Sequence, residues 1–221
     1  MDPFIARGRR QQEIDCMNDG RSLVLLGGGG HAAVVAEAAR SSGWTLSGYL
    51  DDAEHIETAA RLGLQRLGAI RDIDRIPTPA LGHAAVGDAR LRRRWLDALG
   101  DRTAPAIVHE TAVVSPSASL AEGSFIGPRA VVNAGAVVGR GVIVNSAAII
   151  EHDCVLEAFC HVAPGAAMGG SAVAGEESTI GLNASVLPGV RIGASATLGA
   201  GAVAVTDLPD GATAVGIPAR S

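Results

Sequence analysis

The chain has 221 residues and a formal net charge of −5 that is spread along its length, so nothing in it indicates binding to nucleic acid or to an acidic membrane surface. All 18 basic residues are arginine, which excludes mechanisms that need a Schiff-base lysine or a P-loop lysine. Aromatic residues make up only 3% of a chain that is 48% hydrophobic, so aliphatic side chains and alanine must fill its core.

The first part of the chain is charged and polar and has no signal-peptide pattern, and we expect residues 1–21 to form a flexible leader. The three cysteines, Cys16, Cys154 and Cys160, form no CxxC pair, which is typical of proteins in a reducing cytoplasm. No apolar run reaches the roughly 18 residues of a membrane span. We therefore expect a cytoplasmic protein without such a span.

Residues 22–104 alternate between strand and helix patterns, which predicts a small Rossmann-like parallel sheet with helices. The predicted elements are strands at 23–26, 46–50 and 84–86 and helices at 31–43 and 90–99. The basic run in the last helix, from Arg90 to Arg94, is interpreted mainly as a solvated helix face.

Four glycines, Gly27 to Gly30, follow the first predicted strand and precede the first helix. Together with Ala32 they fit the pattern G-x-G-x-x-A, and Asp51 and Asp52 close the next strand. This context favours phosphate binding at the helix N-terminus and a carboxylate near a ribose. A domain of roughly 80 residues is short for a two-halved dinucleotide fold, so a single nucleotide or nucleotide-sugar is the expected ligand.

The pattern changes after Pro105 to a period of six. Steps of six from Val108 to Ala204 give 17 consecutive apolar residues, and the residue four places after each of the first sixteen, Cys154 and Cys160 included, is small. Three hexads close a triangular coil of 18 residues, so the pattern predicts a left-handed parallel β-helix over residues 105–205, with both cysteines packed at corners. A sandwich of amphipathic strands would instead show period two. We expect residues 206–221 to leave the repeat and form a C-terminal cap.

One segment of the repeat, residues 145–161, carries acidic residues and histidines where most other turns carry Gly, Ala, Ser or Pro. His152 lies two residues after a core position, so it points outward, and Glu151 and Asp153 flank it. Carboxylates orient an imidazole and raise its basicity, which makes His152 the candidate general base. The alternative is a solvent-exposed turn histidine without a catalytic role.

A zinc site built from His109, His152 and His161 is also a possibility to weigh, because imidazole is a common zinc ligand. His152 and His161 are nine residues apart, which places them on different faces of one coil, and His109 is more than two coils away. Three imidazoles of one chain therefore do not converge, and only a trimer interface could gather them. We expect no metal.

The order of these motifs is a GGGGH-containing α/β domain, an uninterrupted hexapeptide helix with E-H-D, a histidine nine residues after the first, and a G-I-P-A-R ending. Over residues 22–220 this order resembles the bacterial sugar O- and N-acyltransferases that include UDP-N-acetylbacillosamine and GDP-perosamine N-acetyltransferases and sialic acid O-acetyltransferase-like proteins. The resemblance implies a homotrimer in which acetyl-CoA lies in the groove between adjacent β-helices and the N-terminal domain holds a nucleotide-linked amino sugar.

The resemblance also implies roles for individual residues. The catalytic residues would be His152 as the base and Asp153 as its orienting partner. The coenzyme site would include His161, Gly170, Leu182 and Ala200. The nucleotide-sugar would contact Gly29, Gly30, His31, Asp51, Asp52, Gly87, Asp88, Arg92 and Asn145. Many relatives carry Lys or Arg at the position of Ala33, so a phosphate contact is absent here or comes from another arginine.

The expected reaction moves an acetyl group from acetyl-CoA to the amino group of a UDP- or GDP-linked 4-amino sugar by direct attack. Two alternatives stay open at this point. One is transfer of an acetyl or longer acyl group to a sugar hydroxyl, because a histidine base serves both acceptors. The other is a nucleotide-sugar-binding module without catalytic activity.

Overall fold

The computed structural model describes residues 22–221, so the expected leader and Cys16 lie outside the described residues. A small α/β unit comes first in the chain, and a left-handed parallel β-helix follows it. Within the described residues, no helix is both long enough and apolar enough to cross a membrane.

The α/β unit is a four-stranded parallel sheet in the order β3-β2-β1-β4. Its strands are β1 (Ser22–Leu26), β2 (Thr45–Leu50), β3 (Arg66–Gly68) and β4 (Leu81–Ala84). Its helices are α1 (Gly30–Ser41), α2 (Glu57–Arg61) and α3 (Ala89–Leu99), with 3-10 turns at Ile70–Arg75 and Gly100–Arg102. Strand β1 is central, and its last four residues are buried on both faces, which explains its continuous apolar run.

The predicted strands and long helices of this unit are confirmed, with one shift. The third strand covers Leu81–Ala84 instead of residues 84–86. Its start was not predicted because Gly82 and His83, although buried in the strand, do not extend an apolar run in the sequence. The structure adds β3 and α2, which have three and five residues and are too short to show a period.

The β-helix contains one two-residue strand for each predicted hexad, and its three parallel sheets form the faces of a triangular prism. The first face contains β5 (Ile107–Val108), β8 (Phe125–Ile126), β11 (Ile143–Val144), β14 (His161–Val162), β17 (Thr179–Ile180), β20 (Thr197–Leu198) and β22 (Thr213–Ala214). The second face contains β6 (Val113–Val114), β9 (Val131–Val132), β12 (Ile149–Ile150), β15 (Ala167–Met168), β18 (Ser185–Val186) and β21 (Val203–Ala204). The third face contains β7 (Ser119–Leu120), β10 (Val137–Val138), β13 (Val155–Leu156), β16 (Val173–Ala174) and β19 (Arg191–Ile192).

The core of the prism is the predicted aliphatic stack. Each strand from β5 to β21 ends at one of the seventeen periodic positions, and from Ile126 onward these residues are buried. Val108, Val114 and Leu120 are only partly buried, because they belong to the first coil and no coil covers them from below. Cys154 and Cys160 are fully buried, and burial raises the pKa of the Cys160 thiol to about 12, so the prediction that both are packing residues is confirmed.

The C-terminal residues first continue the β-helix in a shortened form. Leu198 pairs with Ala214, two residues closer in sequence than the 18-residue step from Ile180 to Leu198. The chain then folds back, and Val215 and Arg220 form an antiparallel bridge. This segment covers the end of the core with Leu208 and Ala214.

Helix α1 packs against the first face, where it buries the outward side chains of Ile107, Phe125 and Ile143. Helix α3 docks at the corner between the third face and the first. Its Arg93 donates to Glu177 at 2.8 Å and lies 4.3 Å above the ring of Phe159. The basic run is therefore only partly solvated, because one side of the helix faces the β-helix.

Candidate active site

His152 and Asp153 form a hydrogen-bonded pair at the corner between the second face and the third. His152 Nδ1 lies 2.9 Å from Asp153 Oδ2, and the two side chains are 62% and 66% exposed. A carboxylate only accepts hydrogen bonds, so Nδ1 carries the proton and the lone pair of Nε2 is free. The pair therefore has the hydrogen-bonding pattern of a general base with an orienting partner.

The imidazole of His152 lies against the next coil of the same corner. A methyl carbon placed on Gly170 would be 2.5 Å from His152 Nε2, so the absence of a side chain there makes room for the ring. The backbone of Ser171 donates to the carbonyl of His152 at 2.8 Å. Gly170 was expected at the coenzyme, and the structure places it directly beside the free nitrogen of the candidate base.

His161 lies on the first face and is paired with Asn145. The backbone N–H of Ser146 donates to Asn145 Oδ1 at 2.8 Å, which fixes the orientation of the amide. Asn145 Nδ2 then donates to His161 Nε2 at 3.1 Å. Burial, with a smaller contribution from the charge of Arg92, lowers the pKa of His161 to about 4. A neutral His161 that accepts at Nε2 carries its proton on Nδ1, which is a hydrogen-bond donor.

Two further histidines lie close to this one. His31 is the second residue of α1 and packs edge-on against Phe125, with 5.4 Å between ring centroids. Burial and the nearby His161 and Arg92 lower the pKa of His31 to about 4, and its buried Nε2 has no hydrogen-bond partner. His83 on β4 is 1% exposed, and burial, followed by His31 and Arg92, lowers its pKa to about 3. His83 was not among the predicted site residues, although it stands one residue before the third predicted strand.

The glycine loop after β1 contacts Asp51 and Tyr49 on one side and is open on the other. Gly28 N donates to Asp51 Oδ2 at 2.9 Å, and a methyl carbon on Gly28 would lie 2.7 Å from the ring of Tyr49. A methyl carbon on Gly29 or Gly30 would meet nothing within 4 Å. The structure thus leaves space at the N-terminus of α1, where backbone N–H groups favour an anion.

The other charged residues assigned to the nucleotide-sugar have structural contacts. Asp52 Oδ1 accepts from Ile70 N at 3.0 Å, and Asp88 Oδ1 caps α3 by accepting from Leu91 N at 2.8 Å. Arg92 is fully buried, and its guanidinium donates to four carbonyl oxygens, among them that of Gly87. This geometry gives Arg92 a structural role, and the substrate contact that the resemblance implies stays a prediction.

The expected site residues of the β-helix fall into two groups in one chain. His152, Asp153 and Gly170 lie at the corner between the second face and the third. Leu182 and Ala200 are exposed at the corner between the first face and the second, on the same side as His161 and Asn145. The width of the second face separates these groups. In residues 22–221, no group of three or more His, Cys, Asp or Glu side chains is arranged to hold a metal ion.

Residues 22–99 match the family model of the PglD N-terminal domain. The whole described chain is similar to a variant of perosamine N-acetyltransferase from Caulobacter crescentus, solved with CoA and GDP-perosamine. The two are 36% identical, the match covers 90% of this chain and 95% of the other, and the TM-score is 0.85. The chain belongs to the bacterial nucleotide-sugar acetyltransferase family.

Further proteins are similar to this chain over different lengths. The acetyltransferase domain of PglB from Neisseria gonorrhoeae, solved with acetyl coenzyme A, is 39% identical, with 90% and 98% of the two chains covered and a TM-score of 0.85. WeeI from Acinetobacter baumannii is 20% identical with a TM-score of 0.74 and shares the fold. A stretch of 51 residues is 45% identical to the acetyltransferase-related protein YvoF of Bacillus subtilis (strain 168), and it spans 23% of this chain and 30% of YvoF.

Proposed function

We propose that this protein transfers the acetyl group of acetyl-CoA to the amino group of a nucleotide-linked amino sugar. Two relatives support the proposal, since one was solved with CoA and GDP-perosamine and the other with acetyl coenzyme A. The single observation that carries it is the exposed His152–Asp153 pair, whose free Nε2 is available to accept a proton.

In the proposed reaction the sugar nitrogen attacks the thioester carbonyl carbon while His152 Nε2 takes a proton from that nitrogen. The tetrahedral intermediate collapses with cleavage of the carbon–sulfur bond, and the proton passes from His152 to the departing sulfur. The products are the N-acetylated sugar and CoA with a free thiol. Asp153 stabilises the protonated imidazole through Nδ1.

The oxyanion of the intermediate needs a donor, and His161 is suited to this role. It is neutral near pH 7 because burial lowers its pKa to about 4. Asn145 occupies Nε2, so the Nδ1–H remains free to donate. The nucleotide would bind at the open N-terminus of α1, where Gly29 and Gly30 leave the backbone accessible.

A homotrimer would complete this site. The two groups of site residues lie at opposite edges of the second face, so a groove between adjacent prisms would bring together one group from each of two subunits. The second and third faces, which the α/β unit does not cover as it covers the first, carry exposed apolar residues. These are Val113 and Ile149 on the second face and Val137 and Val155 on the third. A heterologous contact of this kind, repeated about a threefold axis, would close into a ring of three subunits.

Light scattering on the purified protein tests the assembly. We expect a mass three times that of the 22.3 kDa chain. Val155→Glu should lower the mass and the activity together, whereas Leu67→Glu, at an exposed apolar position of the α/β unit, should change neither. A monomeric and fully active wild-type protein would contradict the proposed trimer.

A coupled assay of thiol release from acetyl-CoA, run against a panel of UDP- and GDP-linked amino sugars, tests the reaction. We expect release with at least one amino sugar, and a kcat about 10²–10⁴ lower for His152→Ala, the usual contribution of a positioned base. His109→Ala is the matched control, because His109 also lies at a β-helix corner but its side chain hydrogen-bonds to its neighbour Thr111 and not to a carboxylate. Release with hydroxyl acceptors alone would assign the protein to O-acetylation instead, and an unchanged rate for His152→Ala would remove His152 from the base role.

A further inference from the structure

The carboxylate of Asp153 lies over the equivalent turn of the coil below. Asp153 N donates to the carbonyl of Ala134 at 2.9 Å, so the two turns are stacked directly. A methyl carbon placed on Gly135 would be 2.5 Å from Asp153 Oδ1, well inside contact distance. The carboxylate therefore occupies the space that any side chain at position 135 would need.

Backbone conformation alone does not explain glycine at this position. Gly135 has φ +71°, but Asp153 and Ser171 occupy the same place in the next two coils with φ 59° each and carry side chains. Gly189, one coil further on, also has φ +71°, and a methyl carbon there would meet nothing within 4 Å. What distinguishes Gly135 from Gly189 is the carboxylate above it.

We propose that Gly135 is a positioning residue of the active site. Its missing side chain lets the Asp153 carboxylate lie where Oδ2 accepts from His152 Nδ1, which keeps the proton on Nδ1 and leaves Nε2 free. This inference rests on the proposed function for its effect on rate, but not for its effect on His152. A methyl group at position 135 displaces only the end of one side chain, and the strain of an alanine at this positive φ is shared by position 189, so a comparison of the two positions isolates the effect on the pair.

The kinetic test compares Gly135→Ala with Gly189→Ala, because both introduce the same methyl group at the same φ. Loss of a hydrogen bond to a charged group is worth about tenfold or more. We expect kcat to fall by about tenfold for Gly135→Ala, with the KM of both substrates within twofold of the wild type. Gly189→Ala should keep the wild-type kcat, and both variants should melt at similar temperatures.

A double-variant cycle separates positioning from a general structural effect. In the Asp153→Ala background the steric contact no longer exists, so adding Gly135→Ala should cause no further loss of kcat and should lower the melting temperature only as much as Gly189→Ala does. An equal loss of kcat in both backgrounds would overturn the proposal. If Gly135→Ala is less stable than Gly189→Ala, recovery of that difference in the double variant supports the contact, and failure to recover it contradicts the contact.

The tautomer of His152, read from the 15N shifts of its ring nitrogens in the free protein, gives a measurement that needs no acetyl transfer. We expect the Nδ1–H form in the wild type and in Gly189→Ala, and a mixture of tautomers in Gly135→Ala and Asp153→Ala. A single Nδ1–H tautomer in Gly135→Ala would overturn the inference. A tautomer change in a protein that transfers no acetyl group would instead contradict the proposed function and leave the role of Gly135 intact.

Discussion

Arg92 Nη2 donates a hydrogen bond of 2.5 Å to the carbonyl oxygen of Phe159, which joins α3 to a corner of the β-helix. The same guanidinium donates from Nε to Gly141 at 2.6 Å and from Nη1 to Val86 and Gly87. One buried side chain therefore connects two successive coils with the loop after β4. Its removal would leave buried carbonyls without a donor.

Arg92→Met should therefore destabilise the protein. Each unpaired buried acceptor costs about 1–3 kcal/mol, so we expect a loss of roughly 3–5 kcal/mol and a melting temperature lower by about 10 °C. Arg94→Met, an exposed position on the same helix, is the control and should shift the melting temperature by little. Equal effects of the two variants would show that Arg92 does not hold the α/β unit to the β-helix.

Acid should destabilise the protein between about pH 6.5 and pH 4, before most carboxylates are protonated. Burial lowers the pKa of His31 and His161 to about 4 and that of His83 to about 3. The unfolded chain binds these protons near pH 6.5 and the folded chain does not, so stability is present above pH 6.5 and is lost as the pH falls. The free energy of unfolding, measured by denaturant titration at several pH values, should show this slope.

His83→Asn isolates one of the three groups. The variant has no proton to bind at position 83, so its stability should fall less steeply with acid, by about 1.4 kcal/mol per pH unit within that window. His55→Asn, at an exposed position, serves as the control and should keep the wild-type slope. A His83→Asn slope equal to that of the wild type would mean that His83 is protonated in the folded protein.

Asn145→Leu should impair catalysis through His161. The variant removes the donor to His161 Nε2, so the proton of the neutral ring is no longer held on Nδ1. We expect kcat to be roughly tenfold lower. Loss of a complete oxyanion donor lowers kcat by about 10²–10³, so His161→Ala should cause the larger decrease. Ser115→Leu is the control. Ser115 follows a strand of the second face in the first coil, as Asn145 follows a strand of the first face, and its side chain hydrogen-bonds to Ser117 instead of His161. An unaltered kcat in Asn145→Leu would exclude this route.

Gly28→Ala should weaken binding of the nucleotide-sugar. The added methyl carbon would lie 2.7 Å from the Tyr49 ring and 2.8 Å from Ile56, so the loop must move away from Asp51. We expect the KM for the nucleotide-sugar to rise about tenfold, the usual scale of one lost hydrogen bond to a charged group, with the KM for acetyl-CoA unchanged. Gly63→Ala, where the methyl carbon meets nothing within 4 Å, should leave both constants alone. A rise in both KM values would indicate damage beyond the loop.

The β-helix was predictable almost residue by residue because its period of six is enforced at every coil. Each aliphatic residue must fill the prism axis and each small residue must fit a corner, so sequence and packing carry the same information. His152 was predictable for the related reason that the period fixes which residues point outward. The shortened last coil was not, because Leu208 and Ala214 enter the core two residues out of step with the repeat.

The α/β unit was less accessible to sequence reasoning. Arg92 stands in a run of exposed-type residues, and only the position of the β-helix beside α3 explains its burial. The roles of His83 and Gly135 likewise depend on neighbours that are distant in sequence. His83 lies near His31 because of the order of elements in the sheet, and Gly135 lies near Asp153 because successive coils stack.

The folded-back C-terminus also bears on how the protein behaves at high concentration. A parallel β-helix that simply stopped would offer the backbone donors and acceptors of its last coil to another molecule, as an unprotected sheet edge does. Here Val203 N donates to Gly216 O and Val203 O accepts from Ala219 N, so the outer rim of this coil is already occupied by the chain's own tail. The tail thus covers backbone groups through which one prism could otherwise pair end to end with another.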